Sequence, residues 1–299
     1  MRPRIVILGG GHGLAAVARA LRDRGQDLTV VVSVADDGGS SGELRRRWGG
    51  PAVGDIRRTF IALVGEGGRT GRALAAPVIV AGLGRHPLGN LLLFSLSRAF
   101  GDLEAASAWL ANQLGITARV LPATTEPVVL IADGDGGVVH GESAIGTARS
   151  RITRIMYEPA RPAVATGAID AVEGADWVLL APGSLFTSVL AVAALPDIVA
   201  ALRTARGRVL WICNLQAEVP ETVGMSAVDH LALLRSHGVR VDAALFDPMA
   251  GLHLSPSELD AAGIDGRGHR LMSRNPARHD PRLLGAALEV FCGVPSFTG

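Results

Sequence analysis

The sequence predicts an α/β protein with a doubly wound, mainly parallel sheet and a small β insertion. Three observations predict it. The chain opens on a strand, a glycine turn, an amphipathic helix and a second strand, a βαβ unit whose crossover is expected to be right-handed. Short apolar runs then alternate with helical patterns along most of the chain, which is the signature of a parallel sheet. Polar or glycine-rich stretches stand where the apolar runs stop, and ligands of such sheets sit beyond the carboxyl ends of strands.

Taken in order, residues 5–8 form a short apolar strand and Gly9-Gly10-Gly11-His12-Gly13-Leu14 follows. Leu14, Val17, Ala18 and Leu21 share one helical face, so residues 15–24 read as a helix, with Gly25 as its stop. Residues 28–34 are the next strand, followed by the loop Asp36-Asp37-Gly38-Gly39-Ser40-Ser41-Gly42 and a short basic helical turn over 42–47. Gly54-Asp55-Ile56-Arg57-Arg58 leads into a helix through Val64, and 65–71 reads as a polar loop. His86-Pro87-Leu88-Gly89-Asn90 precedes a helix over 91–100, and Asp102 is placed to cap the next. Two strands broken at Pro122 and Pro127, then a turn over 133–137, suggest a small antiparallel insertion around 118–157 within a single domain spanning 1–299. Helices over 163–172, 228–236, 255–262 and 281–291 alternate with strands over 177–181, 209–213 and 241–246. A helix also starts near Leu185. Five strand ends carry polar or glycine-rich residues: 9–13, 36–42, 182–184, 214–222 and Asp247. In a parallel sheet all five face one rim.

Composition narrows the function. The 299 residues are 48% hydrophobic and 19% charged, with net charge +1, so a sizeable core is expected and bulk nucleic-acid binding is not. All the basic residues besides histidine are arginines. Cys213 and Cys292 are too far apart in sequence to suggest a disulfide framework or a metal motif. No uninterrupted apolar run reaches membrane-spanning length and no leader pattern opens the chain, so a cytoplasmic protein is expected. A homodimer is compatible with the sequence.

The motifs favour a phosphorylated ligand. Glycines before a helix let a phosphate approach backbone N–H groups at its positive end, which makes Gly10, Gly11, His12 and Gly13 candidate ligand contacts. The stretch departs from the dinucleotide fingerprint, with Leu14 at the last glycine position, and lacks a P-loop Gly-Lys-Ser/Thr end. Asp36 and Asp37 suit three roles: holding Mg²⁺ against phosphate oxygens, acting as a general base, or binding sugar hydroxyls. Gly38, Gly39 and Ser40 extend that loop. Asp55 and Arg57 are candidates for pocket and phosphate contacts, and His86 with Asn90 offers an acid/base beside an amide. Gly183, Ser184 and Thr187 resemble a second anion cradle, and Asn214 ends a later strand. No Gly-x-Ser-x-Gly elbow is read from the sequence, and the histidines are too scattered for a zinc site.

Together, Gly9-Gly10-Gly11-His12-Gly13-Leu14, Val34-Ala35-Asp36-Asp37-Gly38-Gly39-Ser40-Ser41-Gly42, Gly54-Asp55-Ile56-Arg57, His86-Pro87-Leu88-Gly89-Asn90 and Pro182-Gly183-Ser184-Leu185-Phe186-Thr187-Ser188 resemble the gluconeogenesis-factor (YvcK-like) branch of the CofD-like superfamily. The five stretches occur in family order over nearly the whole chain. The resemblance implies a Rossmann-like fold and a nucleotide-diphosphate ligand. In the YvcK-like branch this is a UDP-sugar such as UDP-N-acetylglucosamine, bound by proteins that influence carbon metabolism and envelope synthesis. In the 2-phospho-L-lactate transferase branch, a phospholactyl-type group passes from a guanosine-diphosphate donor to a deazaflavin alcohol with Mg²⁺. By that likeness Asp36 and Asp37 lie near the metal or acceptor hydroxyl, and Gly11, His12, Asn90 and Ser184 face the nucleotide. Where the family has Asn-Leu-x-x-x-Pro-Gly-Glu-Thr, this chain has Asn214-Leu215-Gln216-Ala217-Glu218-Val219-Pro220-Glu221-Thr222.

Overall fold

The computed structural model describes residues 2–22, 24–82 and 84–293. The opening unit is β1 (Arg4–Gly9), α1 (Gly11–Leu21) and β2 (Asp27–Val32). Next come α2 (Gly39–Trp48), α3 (Gly54–Val64), α4 (Arg69–Ala75), the hairpin β3 (Pro77–Val80) and β4 (Gly84–Pro87), α5 (Leu88–Phe100), α6 (Leu103–Gln113) and β5 (Arg119–Pro122). A three-stranded antiparallel sheet follows, made of β6 (Val129–Gly134), β7 (Val139–His140) and β8 (Ile152–Glu158), with α7 (Glu142–Gly146) between the last two. The chain then runs through α8 (Thr166–Gly174), β9 (Trp177–Leu180), a π-helical turn (Leu185–Val189) continuing into α9 (Leu190–Ala193), α10 (Pro196–Thr204) and β10 (Arg208–Ile212). It finishes with α11 (Ala227–Ser236), β11 (Ala243–Phe246), α12 (Pro256–Ala262), β12 (Asp265–Gly268) and α13 (Pro281–Cys292).

The central sheet has seven strands in the order β12-β11-β10-β9-β1-β2-β5. Every neighbouring pair in it is parallel. The strands run outward in sequence to one side of β1 and then, from β9, outward to the other. The reversal between β1 and β9 is the topological switch point of a doubly wound sheet, where a crevice opens beyond the strand ends. The chain is therefore α/β and Rossmann-like, as expected.

The apolar runs become central strands because both sheet faces are covered. In β1, Ile5 and Ile7 point into one core with Leu14, Val17 and Leu21 of α1 and Phe60 of α3, while Val6 and Leu8 point into the other with Val178, Phe186 and Leu190. Leu8 and Leu14 are fully buried, and such burial is worth about 1.5–3 kcal/mol per side chain. Asp102 caps α6, accepting from the N–H groups of Glu104 at 3.1 Å and Ala105 at 3.0 Å.

Four local expectations are corrected. Residues 39–42 are the first turn of α2 rather than a loop. A Cβ at Gly42 would stand 1.8 Å from the Asp37 carbonyl oxygen, so the glycine permits that tight entry. Residues 69–71, read as loop, begin α4. The first strand of the supposed insertion, β5, joins the central sheet beside β2, so the separate antiparallel sheet spans 129–158. The sequence reading places no strand in the β3–β4 hairpin or β12: Val78-Ile79-Val80 is β-branched but lies at the surface, with Ile79 82% exposed, and β12 reads Asp-Gly-Arg-Gly.

Candidate functional site

A cleft of about 660 Å³ lies at the carboxyl rim, at the β1–β9 switch point. Its walls come from four of the five polar strand ends, with α3, the start of α5 and α7 closing it. The fifth, Asp247, is structural. Its carboxylate accepts from the N–H groups of Met249 at 3.0 Å, Leu271 at 2.8 Å and Met272 at 3.0 Å, which together outweigh its burial and hold its pKa below the ordinary value.

The first glycine turn differs from an open phosphate cradle. Gly11, at φ +65°, donates its N–H to Asp55 Oδ2 at 2.8 Å, and Asp55 is ion-paired with Arg58. The protein's own carboxylate therefore sits at the positive end of α1. Gly10 lies against the same carboxylate, since a Cβ there would be 2.8 Å from Asp55 Oδ2. Gly13 lines the cleft, but its glycine is demanded by packing: a Cβ would stand 1.6 Å from the Pro182 carbonyl oxygen. His12 is on the rim, and partial burial, then Arg58 and Arg278, lower its pKa.

The aspartate pair separates. Asp36 faces the cleft and accepts from Gly38 N–H at 2.9 Å. Burial raises its pKa against that bond, and Asp55 adds to the rise. Asp37 turns away towards α7, where Ser143 N–H donates to it at 2.9 Å, and it borders a shallower groove with Arg45 and Arg46. Of the two candidates only Asp36 lines the cleft, while both stand close enough to Glu142 to raise its pKa. Among the described residues, no three His, Cys, Asp or Glu side chains converge as a metal-holding group.

Gly38, Gly39 and Ser40 line the cleft at the start of α2. The segment Gly38-Gly39-Ser40-Ser41-Gly42 has the Gly-x-Ser-x-Gly spacing after all, between a strand and a helix. Ser40 Oγ is 2.7 Å from His86 Nδ1, and Asn90 Nδ2 donates to the same oxygen at 2.9 Å. Asn90 lines the cleft; His86 stands behind Ser40 and is 2% exposed. Arg57 also lines the cleft, with its aliphatic chain against Gly89 and its buried Nε without a partner.

The second cradle is occupied from within. Glu221 Oε1 accepts from the N–H groups of Phe186 at 2.8 Å and Thr187 at 3.2 Å, and Ser184 Oγ donates to the same carboxylate. Thr187 Oγ1 donates to Ser184 Oγ at 2.6 Å. Ser184 and Thr187 line the cleft, but both hydroxyls and the Thr187 N–H are already engaged. Burial, then Glu218, raises the Glu221 pKa to about 8. Asn214 clasps Gly183, with Gly183 N–H to Oδ1 at 2.9 Å and Nδ2 to the Gly183 carbonyl at 2.7 Å. It holds the turn and is not a lining residue, which corrects its expected ligand contact.

Three acidic lining residues were not nominated from the sequence: Glu142, Glu218 and Glu221. Burial, then Asp36 and Asp37, raises the Glu142 pKa to about 7, and burial raises that of Glu218. Glu218 and Glu221 lay inside a recognised strand-end stretch; Glu142 had no local signal.

A family model described as 2-phospho-L-lactate transferase CofD matches residues 5–268. The chain belongs to the CofD family. Within it the chain is similar to proteins named for gluconeogenesis. The gluconeogenesis factor of Bacillus subtilis is 37% identical over 79% of this chain and 75% of its own length. A Deinococcus radiodurans protein with a provisional gluconeogenesis-factor name is 37% identical over 98% of this chain and 67% of its own. A crystal structure of a UPF0052 family member from Bacillus halodurans superposes with a TM-score of 0.90, at 29% identity over 96% of this chain and 99% of that one. Among the described residues, no single helix is long and apolar enough to cross a membrane.

Proposed function

We propose that the cleft binds a nucleotide-diphosphate sugar of the UDP-N-acetylglucosamine class, and that this CofD-family chain acts as a cytoplasmic regulator of the gluconeogenesis-factor type. The observation that carries the reading is the position of the cleft at the β1–β9 switch point, with Arg57, Arg58 and His12 on its wall. Doubly wound sheets take nucleotides at this place, and arginine suits phosphate. Because Asp55 and Glu221 occupy the two helix ends, the diphosphate is assigned to the arginines. The sugar hydroxyls fall to Asp36 and Glu142. Asp36 is the member of its pair placed to share Mg²⁺ with phosphate oxygens, where the ion would offset phosphate charge. Calorimetry with UDP-N-acetylglucosamine, with and without Mg²⁺, is expected to show saturable binding that weakens in Arg57→Ala. No heat of binding at millimolar ligand overturns the reading.

A second reading is a CofD-like transferase that moves a phospholactyl-type group to an alcohol. It is favoured by the partly buried Asp36 carboxylate, whose raised pKa suits proton abstraction better than that of an ordinary aspartate. Product from a guanosine-diphosphate donor and a deazaflavin alcohol with Mg²⁺, lost in Asp36→Asn, supports it. Full activity in that variant removes the role.

A further inference from the structure

The grouping of Ser40, His86 and Asn90 has the form of an activated nucleophile. The Ser40 hydroxyl oxygen accepts from Asn90 Nδ2 at 2.9 Å and lies 2.7 Å from His86 Nδ1. With its proton on Nε2, the His86 ring presents Nδ1 as an acceptor to the Ser40 hydroxyl. Nucleophile and base within about 2.6–3.2 Å is the diagnostic geometry of covalent catalysis.

The backbone supports the same role. Ser40 follows β2, sits in the first turn of the ten-residue α2, and has glycines two residues before and after it. Gly42 is sterically required by backbone, whereas Gly38 faces only a side-chain hydroxyl. A Cβ on Gly38 would stand 2.7 Å from Ser143 Oγ, and one on Gly42 would overlap the Asp37 carbonyl. Gly39, at φ +47°, makes the sharp entry. In a nucleophile elbow the strand-to-helix turn exposes the serine, and the next residue's N–H stabilises developing charge; here that donor is Ser41. The α2 N-terminus has no side-chain cap. Arg57 faces the same cleft with its Nε unpartnered, so a second source of positive charge stands nearby.

We propose that Ser40 is a nucleophile towards phosphorus, with His86 as its general base and Asn90 as a positioning residue. The substrate class is a phosphate ester or anhydride held in the cleft. Ser40 Oγ forms a bond to phosphorus as the bond from phosphorus to the leaving oxygen breaks. The hydroxyl proton passes to His86 Nδ1, and the leaving oxygen, on the far side of phosphorus, takes its proton from solvent. Water or an alcohol then attacks the phosphoserine phosphorus, the Oγ–P bond breaks, Oγ takes back its proton from His86, and the attacking group gives its proton to solvent. The natural substrate class rests on reading the cleft as a phosphate-ligand site. The nucleophile itself does not.

The test treats the full chain with a fluorophosphonate, a phosphorus electrophile without a nucleotide, and follows intact mass and peptide mapping. One adduct per chain at Ser40 is expected, forming at least tenfold more slowly in His86→Gln and in Asn90→Ala at unchanged melting temperature. No adduct at Ser40 under conditions that fully label trypsin overturns the proposal, as does an undiminished rate in His86→Gln. Because His86 is buried, a second variant leaves it in place. In Ser40→Cys the introduced thiol should react with iodoacetamide at neutral pH at least tenfold faster than a free cysteine thiol, since a neighbouring imidazole promotes the thiolate. The two native cysteines are buried. Alkylation no faster than the free thiol overturns the proposal. Failure to bind UDP-sugars in calorimetry leaves this result untouched, so the two readings fail separately.

Discussion

The two glycine turns at the switch point solve one problem in opposite ways. Each leads into a helix whose N-terminal N–H groups are met by a carboxylate from elsewhere in the chain: Asp55 for α1, Glu221 for the helix starting at Leu185. Asp55 has Arg58 as an ion partner. Glu221 has Glu218 nearby and is 5% exposed. The first turn is thus locked by a compensated charge. The second is held by a carboxyl group that burial drives towards its protonated form. Similar glycine patterns therefore produce one end closed by an ion pair and one closed by a carboxyl group that responds to pH.

The largest expected effect breaks the contact between the two turns. Gly13→Ala drives a methyl group into the Pro182 carbonyl, backbone against backbone, and should cost roughly 3 kcal/mol or more in urea unfolding. A wild-type midpoint would show that α1 and the second turn can separate freely. Next is Asn214→Ala, which removes both hydrogen bonds that clasp Gly183. A loss of about 2–3 kcal/mol is expected from the two groups left without partners. A loss below about half a kcal/mol would mean the second turn is held by Glu221 alone.

Glu221→Gln sharpens the comparison through pH. The Glu221 pKa is raised from 4.5 to about 8. The native chain therefore keeps a proton that the unfolded chain releases, so stability falls as pH rises from the lower value to the upper and levels above it. The variant should lose that slope and gain on the order of 4 kcal/mol over wild type at pH 9 relative to pH 5. Parallel pH profiles for the two proteins contradict the assignment. The smallest effect belongs to Asp55→Asn, which keeps an acceptor for Gly11 but leaves Arg58 without its ion partner. A change of about 1 kcal/mol or less is expected, with the slope due to Glu221 retained. Loss of that slope would make the two carboxylates one coupled system.

What was legible in the sequence follows from where the physics is local. Ile5 to Leu8 and Val209 to Ile212 are fully apolar because both faces of a parallel strand are buried, so the central strands and their polar ends could be read directly. The start of α2 could not, because Gly-Gly-Ser-Ser has weak helix propensity and is held in place by Asp37, His86 and Asn90. The same holds for β12, whose pairing is supplied entirely by β11. Within the site, the glycine turns were legible and their occupants were not. Glu221 reaches the second turn from a different strand end, and Glu142 arrives from the antiparallel sheet. The divergence of Asp36 and Asp37 depends on Ser143, far along the chain.

The central place of β1 has a consequence for synthesis. Ile5 pairs with Leu28 on one side and with Trp177 on the other. The first partner emerges almost at once, but the second follows after roughly 170 residues, or about 10–30 s at ordinary elongation rates. During that interval a buried apolar strand of the native sheet is an open edge, which invites pairing with other chains. Early packing of α1 on Ile5 and Ile7 covers one face of that strand, and its edge closes only when β9 arrives.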